Sequence, residues 1–261
     1  MNQNALRTLK VKFLMLAIPE YEIKIIKNLS TEVQKHKKFN EKIYNKLIKR
    51  RMLGEPIQYI EGKVHFFDLT INVNRSVLIP RPETEYFVEE VIKELKHPKK
   101  ILDVGTGSGC IGLALKKVYK NSDVHLVDVS RKALTTSKKN AFSNHLEVKV
   151  YRSNLLDRVK EKSFDLIIAN LPYIPTDDLD DLPVEISKFE PKVALDGGQS
   201  GLDKIKKLIY ASGPKLKTDG LLALEIDSRQ GSQVIKLMKD FREVKLVNDL
   251  TGRNRYVFGR K

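Results

Sequence analysis

The stretch Ile101-Leu102-Asp103-Val104-Gly105-Thr106-Gly107-Ser108-Gly109 joins a short apolar segment to a loop in which every second residue is glycine. The apolar segment has the length and branched residues of a buried strand, and a helical pattern begins directly after the loop. Glycine lets the backbone turn tightly and approach a ligand closely. The stretch therefore predicts an α/β fold with a ligand-binding loop at the carboxyl edge of its sheet.

The glycines of this loop allow two interpretations. Gly105, Gly107 and Gly109 form the G-x-G-x-G pattern that is common in adenosylmethionine sites. Gly107, Gly109 and Gly112 form the G-x-G-x-x-G pattern of dinucleotide-binding proteins. Taken alone, the glycines do not distinguish the two cofactors.

Two further strand-like segments add residues to the predicted cofactor site. Val124-His125-Leu126-Val127 ends at Asp128, and an acidic residue after the second strand suits a pair of ribose hydroxyls with either cofactor. Val148-Lys149-Val150-Tyr151 leads into residues 153–157, a loop that we expect to flank the adenine. We therefore predict that Asp128 and Leu155 contact the cofactor.

A fourth apolar segment, Phe164-Asp165-Leu166-Ile167-Ile168, is followed by Ala169-Asn170-Leu171-Pro172-Tyr173. The side-chain oxygen of Asn170 and the carbonyl oxygen of Leu171 can each accept a hydrogen bond from an NH2 group. Pro172 stiffens the turn, and the ring of Tyr173 can lie against a planar group. An amide or exocyclic amine is a poor nucleophile, so holding it in line with a methyl donor lowers the barrier by orientation. These four residues are thus predicted to form the catalytic and substrate-binding centre of an enzyme that methylates a planar nitrogen.

Composition excludes several classes of protein. The chain has 261 residues, 41% of them hydrophobic, which suits one large domain or one domain with a small partner domain. No apolar run is long enough to predict a transmembrane helix, and the first ten residues lack the apolar core of a secretory signal. The single cysteine, Cys110, rules out an internal disulfide and fits a reducing cytoplasm. No spacing of cysteine or histidine predicts a metal site.

Positive charge is concentrated near the N-terminus. The net charge is +15, and residues 1–50 contain 12 Lys/Arg and 4 Asp/Glu. A basic segment of this kind suits a polyanionic partner such as RNA, although solvated, lysine-rich helix faces give the same composition. We expect a small bundle of three or four helices with a recognition role, in which Ser30 or Thr31 caps one helix. The helical spacing is visible in two sets of apolar residues: Leu6, Leu9 and Phe13, and Ile43, Leu47 and Ile48.

The segments that follow suggest a domain division. Gly54-Glu55-Pro56 ends the helical pattern, and residues 59–77 are rich in β-branched and aromatic side chains, which predicts a hairpin. We therefore predict a helical domain over 1–55, a β-hairpin connector over 56–79 and a catalytic domain over 80–261. Near the C-terminus, residues 244–247 and 256–258 predict a terminal hairpin or a pair of edge strands.

The segment Pro80-Arg81-Pro82-Glu83-Thr84-Glu85 opens the predicted catalytic domain. Pro82 suits the first position of a helix, and the two glutamates suit its positive end. A well-made helix start does not explain Arg81. We include Arg81 as a candidate substrate-binding residue.

These features together resemble a known family, the N5-glutamine methyltransferases that modify peptide chain release factors. The resemblance covers most of the chain in order, from the helical lobe and the hairpin to the C-terminal strands. The Asn-Pro-Pro-Tyr type of motif is shared with adenine and cytosine amino-methyltransferases. More selective is the Arg81 segment combined with Phe189-Glu190-Pro191, Gly197-Gly198 and Gly201-Leu202-Asp203.

The resemblance implies a class I methyltransferase fold, which is Rossmann-like with a seven-stranded sheet and an antiparallel terminal strand. It implies that S-adenosyl-L-methionine binds along Gly105, Thr106, Gly107, Ser108 and Gly109, with Asp128 on the ribose and Asn170 near the methyl group. The implied substrate is the glutamine amide in the Gly-Gly-Gln loop of a class I release factor, whose methylation supports translation termination. The helical lobe would contact the release factor, and we expect a cytoplasmic monomer that does not bind membranes.

Two stretches of the chain bear on the family motifs in different ways. The family usually has proline at the position of Leu171, but the hydrogen-bond acceptor there is a backbone carbonyl, so the mechanism should survive while the pocket wall changes shape. The chain also contains Gly197-Gly198-Gln199, the tripeptide that the family methylates. Since this segment matches the glycine loop of the family, we interpret Gln199 as incidental.

Two other functions remain open. An RNA or DNA methyltransferase acting on an exocyclic amine such as adenine N6 would use the same geometry and the positive charge. Against it, the chain shows no large insertion and no aromatic-rich RNA-binding module. A non-catalytic binding protein with a decayed cofactor site is the other possibility, but the intact glycine loop, Asp128 and Asn170 argue against decay.

Overall fold

The structure, a computed structural model, describes residues 18–32 and 39–261 of the chain. These residues divide into two compact units. The first consists of the described residues up to Lys63 together with Pro183–Phe189, and the second of Val64–Leu182 and Glu190–Lys261. The domain boundaries drawn from the sequence stay a prediction, and the helix expected around Leu6, Leu9 and Phe13 lies outside the described residues.

The first unit contains helices α1 (Glu20–Glu32), α2 (Glu41–Met52) and α3 (Ile57–Glu61), and a one-turn helix at Val184–Ser187. Asn40 caps α2, since its side chain accepts a hydrogen bond from the backbone N–H of Ile43. The helices and the residue just before them contribute buried side chains to a small apolar core: Ile18, Ile26, Ile48, Ile57 and Ile60. Burial of this apolar stripe stabilises helices that are too short to be stable alone.

Ser30 and Thr31 do not cap a helix, and that prediction was wrong. Both lie in the last turn of α1, where their hydroxyls donate to the carbonyls of Ile26 at 2.6 Å and Lys27 at 2.9 Å. Hydroxyl side chains bond to the carbonyl four residues earlier inside a helix as well as to free N–H groups at its start. The sequence alone does not separate these two uses.

Strands β1 (Lys63–Phe66) and β2 (Leu69–Asn72) form a two-stranded sheet. The β-like pattern predicted from residue 59 begins later than expected, because Tyr59 and Ile60 are buried in α3. Gly62, with φ of 81°, ends that helix in the left-handed conformation. Buried aromatic and branched side chains are accommodated in a helix when tertiary packing favours it.

The second unit alternates helices and strands. Its elements are α4 (Pro82–Glu94), β3 (Lys100–Val104), α5 (Cys110–Val118), β4 (Asp123–Asp128), α6 (Arg131–Ser143), β5 (Lys149–Arg152), β6 (Phe164–Asn170), α7 (Asp203–Ser212), β7 (Leu216–Glu225), α8 (Gly231–Leu237), β8 (Arg242–Asn248) and β9 (Asn254–Arg260). Within the described residues seven of these strands form one sheet, in the order β5-β4-β3-β6-β7-β9-β8. The predicted α/β architecture with a seven-stranded sheet is confirmed.

The C-terminal strands form the predicted hairpin. Strand β9 runs antiparallel to both β7 and β8, so the expected antiparallel terminal strand is present. Strand β9 lies between those two strands, so of the two C-terminal strands only β8 forms an edge of the sheet. The alternative of two edge strands was therefore wrong.

Strand β7 contains a turn near its beginning. Asp219 has a positive φ of 62°, and pairing with β6 moves from Leu216 directly to Leu221. The four residues between them form a bulge in a strand that is otherwise buried. Beyond the bulge, the strand runs straight to its carboxyl end at Glu225.

The position of β3 determines where a ligand can bind. Its last residue, Val104, pairs with Val127 of β4 on one side and with Ala169 of β6 on the other. The loops after β3, β4 and β6 therefore emerge side by side at one edge of the sheet. This is the switch point at which open α/β sheets bind ligands. No helix in the described part of the chain has the length and apolar character needed to cross a membrane.

Gly112 provides a test of the packing of α5 against the sheet. A Cβ atom added at this position would stand 2.1 Å from Leu126 Cδ2 and 3.1 Å from Asp103 Cβ. We expect Gly112→Ala to lower the free energy of unfolding by about 1–3 kcal/mol, because both neighbours are buried. Urea denaturation measures the change.

Gly213→Ala is the matched control. Gly213 follows α7 with φ of −50°, and an added Cβ would meet nothing within 4 Å. Its replacement should change the free energy of unfolding by less than about 0.5 kcal/mol. Equal destabilisation by the two substitutions would contradict the packing described for α5.

Candidate active site

A pocket lies at the carboxyl edge of the sheet, where the loops after β3, β4, β5 and β6 meet. It brings together most of the residues singled out in the sequence: Arg81, Gly105, Thr106, Gly107, Ser108, Asp128, Leu155, Asn170, Leu171 and Pro172. Gly109 and Tyr173 do not belong to its wall. The candidate site is thus one continuous cavity shared by the glycine loop and the Asn170 turn.

The glycine loop is held in a conformation that side chains disfavour. Gly105, Gly107 and Gly109 all have positive φ, at 73°, 55° and 88°. The backbone N–H groups of Gly105 and Thr106 both donate to the carbonyl of Val127, at 2.9 and 3.0 Å. A Cβ at Gly105 would stand 2.8 Å from Leu171 Cδ2, so the loop backbone packs directly against the Asn170 turn.

Asp128 links the ends of β3 and β4. Its Oδ2 accepts from the backbone N–H of Gly107 at 2.9 Å, and its Oδ1 accepts from the N–H of Ser130 at 2.8 Å. Burial raises the pKa of Asp128, while these backbone donors act to lower it. The carboxylate is therefore fixed in orientation on the pocket wall, where each oxygen can accept a further hydrogen bond from a hydroxyl group.

Asp103 is a buried carboxyl beside the glycine loop that the sequence did not assign to the cofactor. Its Oδ2 accepts from Thr106 Oγ1 at 2.6 Å and from the N–H of Gly112 at 3.0 Å. Burial raises its pKa to about 7 against the effect of these donors. Within the described residues its Oδ1 has no hydrogen-bond partner, and such an oxygen requires a donor from a ligand or solvent.

Leu155 follows β5, and its contact with the cofactor stays a prediction. It lines the pocket, and its φ of 48° is unusual for a bulky residue. Strained backbone of this kind persists where the surrounding structure fixes it, often at ligand sites.

Asn170 is held by two residues that the sequence did not single out. Its Nδ2 donates to Thr84 Oγ1 at 3.2 Å, and Thr84 Oγ1 donates to Glu225 Oε2 at 2.9 Å. Glu225 is the last residue of β7 and pairs with Asn170, the last residue of β6. Thr84 and Glu225 are both only 2% exposed. The amide of Asn170 therefore reaches the pocket with its NH2 group already bonded on the protein side.

A sequence signal for these two residues did exist. Thr84 belongs to the Arg-Pro-Glu-Thr-Glu segment, in which only Arg81 was considered for function. Glu225 is an acidic residue near the carboxyl end of an apolar strand, the same pattern that identified Asp128.

The environment of Glu225 is electrostatically unusual. Burial raises its pKa to about 7, while the hydrogen bond from Thr84, the charge of Arg255 and the nearby amide of Asn170 act to lower it. Arg255 is itself held by an ion pair with Asp249, at 3.3 Å from Nε to Oδ2. The C-terminal strand thus contributes a fixed cation near the Asn170 turn.

Leu171 and Tyr173 occupy different environments. Leu171 is 4% exposed and packs in the core while also lining the pocket. Tyr173 is half-buried against the core, and its carbonyl accepts from Gln230 Nε2 at 2.9 Å. Burial raises the pKa of the Tyr173 phenol, which keeps it neutral. The expectation that its ring covers the substrate stays a prediction.

Arg81 forms an ion pair with Glu190, so the two most selective segments of the sequence meet in space. Glu190 is buried, and its Oε2 also accepts from the N–H of Ile79 at 3.4 Å. Burial raises the pKa of Glu190, and Arg81 counteracts this effect. The Arg81 guanidinium is also part of the pocket wall. Gln199 is an exposed residue of the neighbouring glycine loop.

Comparison with known proteins identifies the kind of protein that this site resembles. Residues 82–182 match the family described as "Methyltransferase small domain". The release factor glutamine methyltransferase of Thermodesulfovibrio yellowstonii is 39% identical over 82% of this chain and 80% of its own length. The protein of the same name from Clostridium botulinum is 36% identical over 97% of this chain and 87% of its own.

Solved structures share the fold at low sequence identity. A methyltransferase from Pyrococcus furiosus matches with a TM-score of 0.58 at 20% identity, over 75% of this chain and 90% of its own. A T. thermophilus 16S rRNA N2 G1207 methyltransferase, in complex with AdoMet and guanosine, matches with a TM-score of 0.56 at 16% identity. That match covers 76% of this chain and 49% of the other. Together with the sheet order, these matches confirm the predicted class I methyltransferase fold.

The Arg81–Glu190 pair gives a stability prediction with a pH dependence. Arg81→Met leaves a buried carboxylate without its cation, which should lower the free energy of unfolding by about 1–3 kcal/mol at pH 8. The loss should be smaller at pH 5, because the pKa of Glu190 is raised and the folded protein can then bury a neutral carboxyl. Urea denaturation at the two pH values measures both effects.

The double variant Arg81→Met with Glu190→Gln is the control. It removes the buried charge together with its partner, so most of the stability lost in the single variant at pH 8 should return. A double variant that is as unstable as the single one would show that the ion pair does not cause the loss.

Proposed function

This chain belongs to the release factor glutamine methyltransferase family, and we propose that it methylates the side-chain amide nitrogen of a glutamine in a peptide chain release factor. The observation that carries the proposal is the placement of Asn170. It shares a pocket with the glycine loop, and its NH2 group is bonded to Thr84. Its Oδ1 is thereby left as the atom that can accept an N–H from a substrate amide.

The residues around the glycine loop fit S-adenosylmethionine, which supplies a methyl group on a positively charged sulfonium centre. Gly105 offers bare backbone where a Cβ would collide with Leu171. Asp128 presents a fixed carboxylate that suits the ribose hydroxyls. Asp103 lies behind the pocket wall and holds the loop by accepting from the Thr106 hydroxyl and the Gly112 N–H. We propose that these residues, with Thr106, Ser108 and Leu155, hold the cofactor.

The Asn170 turn would position the substrate rather than activate it by removing a proton. The Oδ1 of Asn170 and the carbonyl of Leu171 would each accept one N–H of the glutamine amide and so fix the direction of its nitrogen lone pair. Orientation is the main source of rate enhancement for a weak nucleophile. Pro172 and Leu171 also line the pocket.

Family membership also guides the choice of substrate within the release factor. We propose the glutamine of the Gly-Gly-Gln loop of a class I release factor, with translation termination as the process that benefits. Arg81 lines the pocket and is proposed to contact the loop. The predicted cytoplasmic location and monomeric state belong to the same proposal.

The helical first unit is proposed as the recognition domain for the release factor, with weak RNA or ribosome contact through its basic surface. Lys42, Lys46 and Lys49 of α2 are all exposed, and their spacing places them on one face of the helix. A face of this kind attracts phosphate groups in a salt-dependent manner.

The function is tested by offering tritiated S-adenosylmethionine with a purified class I release factor, with ribosomal RNA or with DNA. We expect label only in the release factor, at the glutamine of its Gly-Gly-Gln loop. A release factor with alanine in place of that glutamine is the control and should stay unlabelled. Label in RNA or DNA but not in release factor would favour the exocyclic-amine alternative and refute the proposal.

Asn170→Ala separates positioning of the substrate from binding of the cofactor. We expect it to lower kcat by at least about a hundredfold, because the amide loses its oriented acceptor. Affinity for S-adenosylmethionine, measured by calorimetry, should change by less than about fivefold. Asn121→Ala, at an exposed turn, makes the same chemical change and should leave turnover unaltered. Wild-type turnover in the Asn170 variant would refute the role given to this residue.

A further inference from the structure

Asn170 can hold a substrate amide in only one of its two side-chain orientations. Its oxygen accepts hydrogen bonds, whereas its NH2 group only donates them. If the side-chain amide were rotated by half a turn, it would present N–H to N–H and repel the substrate nitrogen. The reaction therefore needs an element of the protein that selects the orientation.

The hydrogen bonds from Asn170 to Thr84 and from Thr84 to Glu225 select this orientation, because Thr84 has only one hydrogen to donate. Thr84 has one hydroxyl hydrogen, and it donates that hydrogen to Glu225 at 2.9 Å. Thr84 Oγ1 then has only lone pairs to offer Asn170, so the Nδ2 of Asn170 must face it, at 3.2 Å. An ionised carboxylate accepts and cannot donate, so a charged Glu225 permits only this direction, whereas a protonated Glu225 could also donate.

We infer that Glu225 is a positioning residue whose carboxylate, acting through Thr84, fixes the amide orientation of Asn170 so that its oxygen receives the substrate N–H. A protonated Glu225 could instead donate to Thr84 Oγ1. Thr84 could then donate its own hydrogen to Asn170 Oδ1, and the rotated amide would turn its NH2 group towards the pocket. The inference rests on the proposed amide methylation, since it concerns how that substrate is held.

The surroundings of Glu225 make its charge responsive to pH. On α4, Glu83 disfavours the carboxylate, whereas on β9 Arg255 favours it. Cys110, Tyr173 and Tyr256 also face it and are neutral, since burial raises the pKa of each. The net result is a pKa of about 7 for Glu225, with burial as the largest cause.

The location of Glu225 separates this role from that of an ordinary buried carboxyl. Asp165 is also buried on a neighbouring strand, but it accepts from two backbone N–H groups at the opposite end of β6. Glu225 stands at the carboxyl end, level with Asn170, and accepts from a side chain that itself lines the pocket. Glu225 is thus hydrogen-bonded to a side chain of the proposed substrate site, whereas Asp165 is hydrogen-bonded to the backbone.

A fixed acceptor at Asn170 also favours an amide substrate over a carboxylate. An acceptor fixed at Asn170 Oδ1 stabilises a substrate that donates N–H. An ionised carboxylate in the same place would set oxygen against Asn170 Oδ1 without a hydrogen bond, because it has no hydrogen to donate. A release factor with glutamate at the target position should therefore bind poorly as well as lacking the nucleophile.

Two pairs of measurements test the inference in the release factor assay. The pH dependence of kcat/KM for the wild type should show a loss of activity on the acid side, centred near pH 7, as Glu225 takes up a proton. Glu225→Gln cannot ionise and should lower the activity at pH 8 by about tenfold while removing this acid limb. An acid limb that persists unchanged in Glu225→Gln would overturn the inference.

Thr84→Val and Thr84→Ser give a second, independent pair. Valine keeps the shape but removes the bridging hydroxyl, so kcat should fall by at least about tenfold. Serine restores the hydroxyl and should recover most of the loss, with circular dichroism and S-adenosylmethionine affinity confirming that both variants fold. Equal kcat values for the valine and serine variants would overturn the inference.

The outcome for the proposed function stays separate. If the wild type does not methylate the release factor at all, the proposed function itself fails. If the wild type is active while both variant pairs behave like it, only the role of Glu225 and Thr84 fails.

Discussion

The parallel pairing of β3 between β4 and β6 is the constraint on which the site depends. Because the three strands end level with one another, Gly105, Asp128 and Asn170 emerge within one pocket although they are far apart in the chain. The sheet interior is apolar and buried, so this register is fixed by the core and not by the ligand. The proposed cofactor loop and the proposed substrate turn are consequently preorganised relative to each other, which is what transfer between two bound groups requires.

Behind this edge, polar groups from distant segments are combined. Thr84 comes from the start of α4, Glu225 from β7 and Arg255 from β9, and all act on the Asn170 turn. Buried polar chains of this kind are stable only when each member has a partner. The arrangement accounts for the selective motifs of the sequence, since the Arg-Pro-Glu-Thr-Glu segment and the C-terminal strands converge on one side chain.

Much of the fold and part of the site could be predicted from the sequence. Strands β3, β4 and β6 could be predicted because each is a short apolar segment that ends at glycine, Asp128 or Asn170. Burial of the strand and reversal of the chain after it both require particular residues close together in the sequence. The role of Thr84 could not be predicted in this way, since its contact with Glu225 joins residues 141 positions apart. The prediction that Ser30 or Thr31 caps a helix was wrong for a related reason. A hydroxyl group can bond to several local backbone groups, and tertiary packing decides which one it bonds.

Leu171 stands where the family resemblance implies proline, and its side chain fills the space that a Cβ on Gly105 would need. The two positions therefore limit each other's evolution. Leucine at 171 adds a collision to the strain that the positive φ of Gly105 imposes on any side chain, and a smaller residue at 171 would remove only the collision. Substitutions at these positions are consequently epistatic, and their effects will not add.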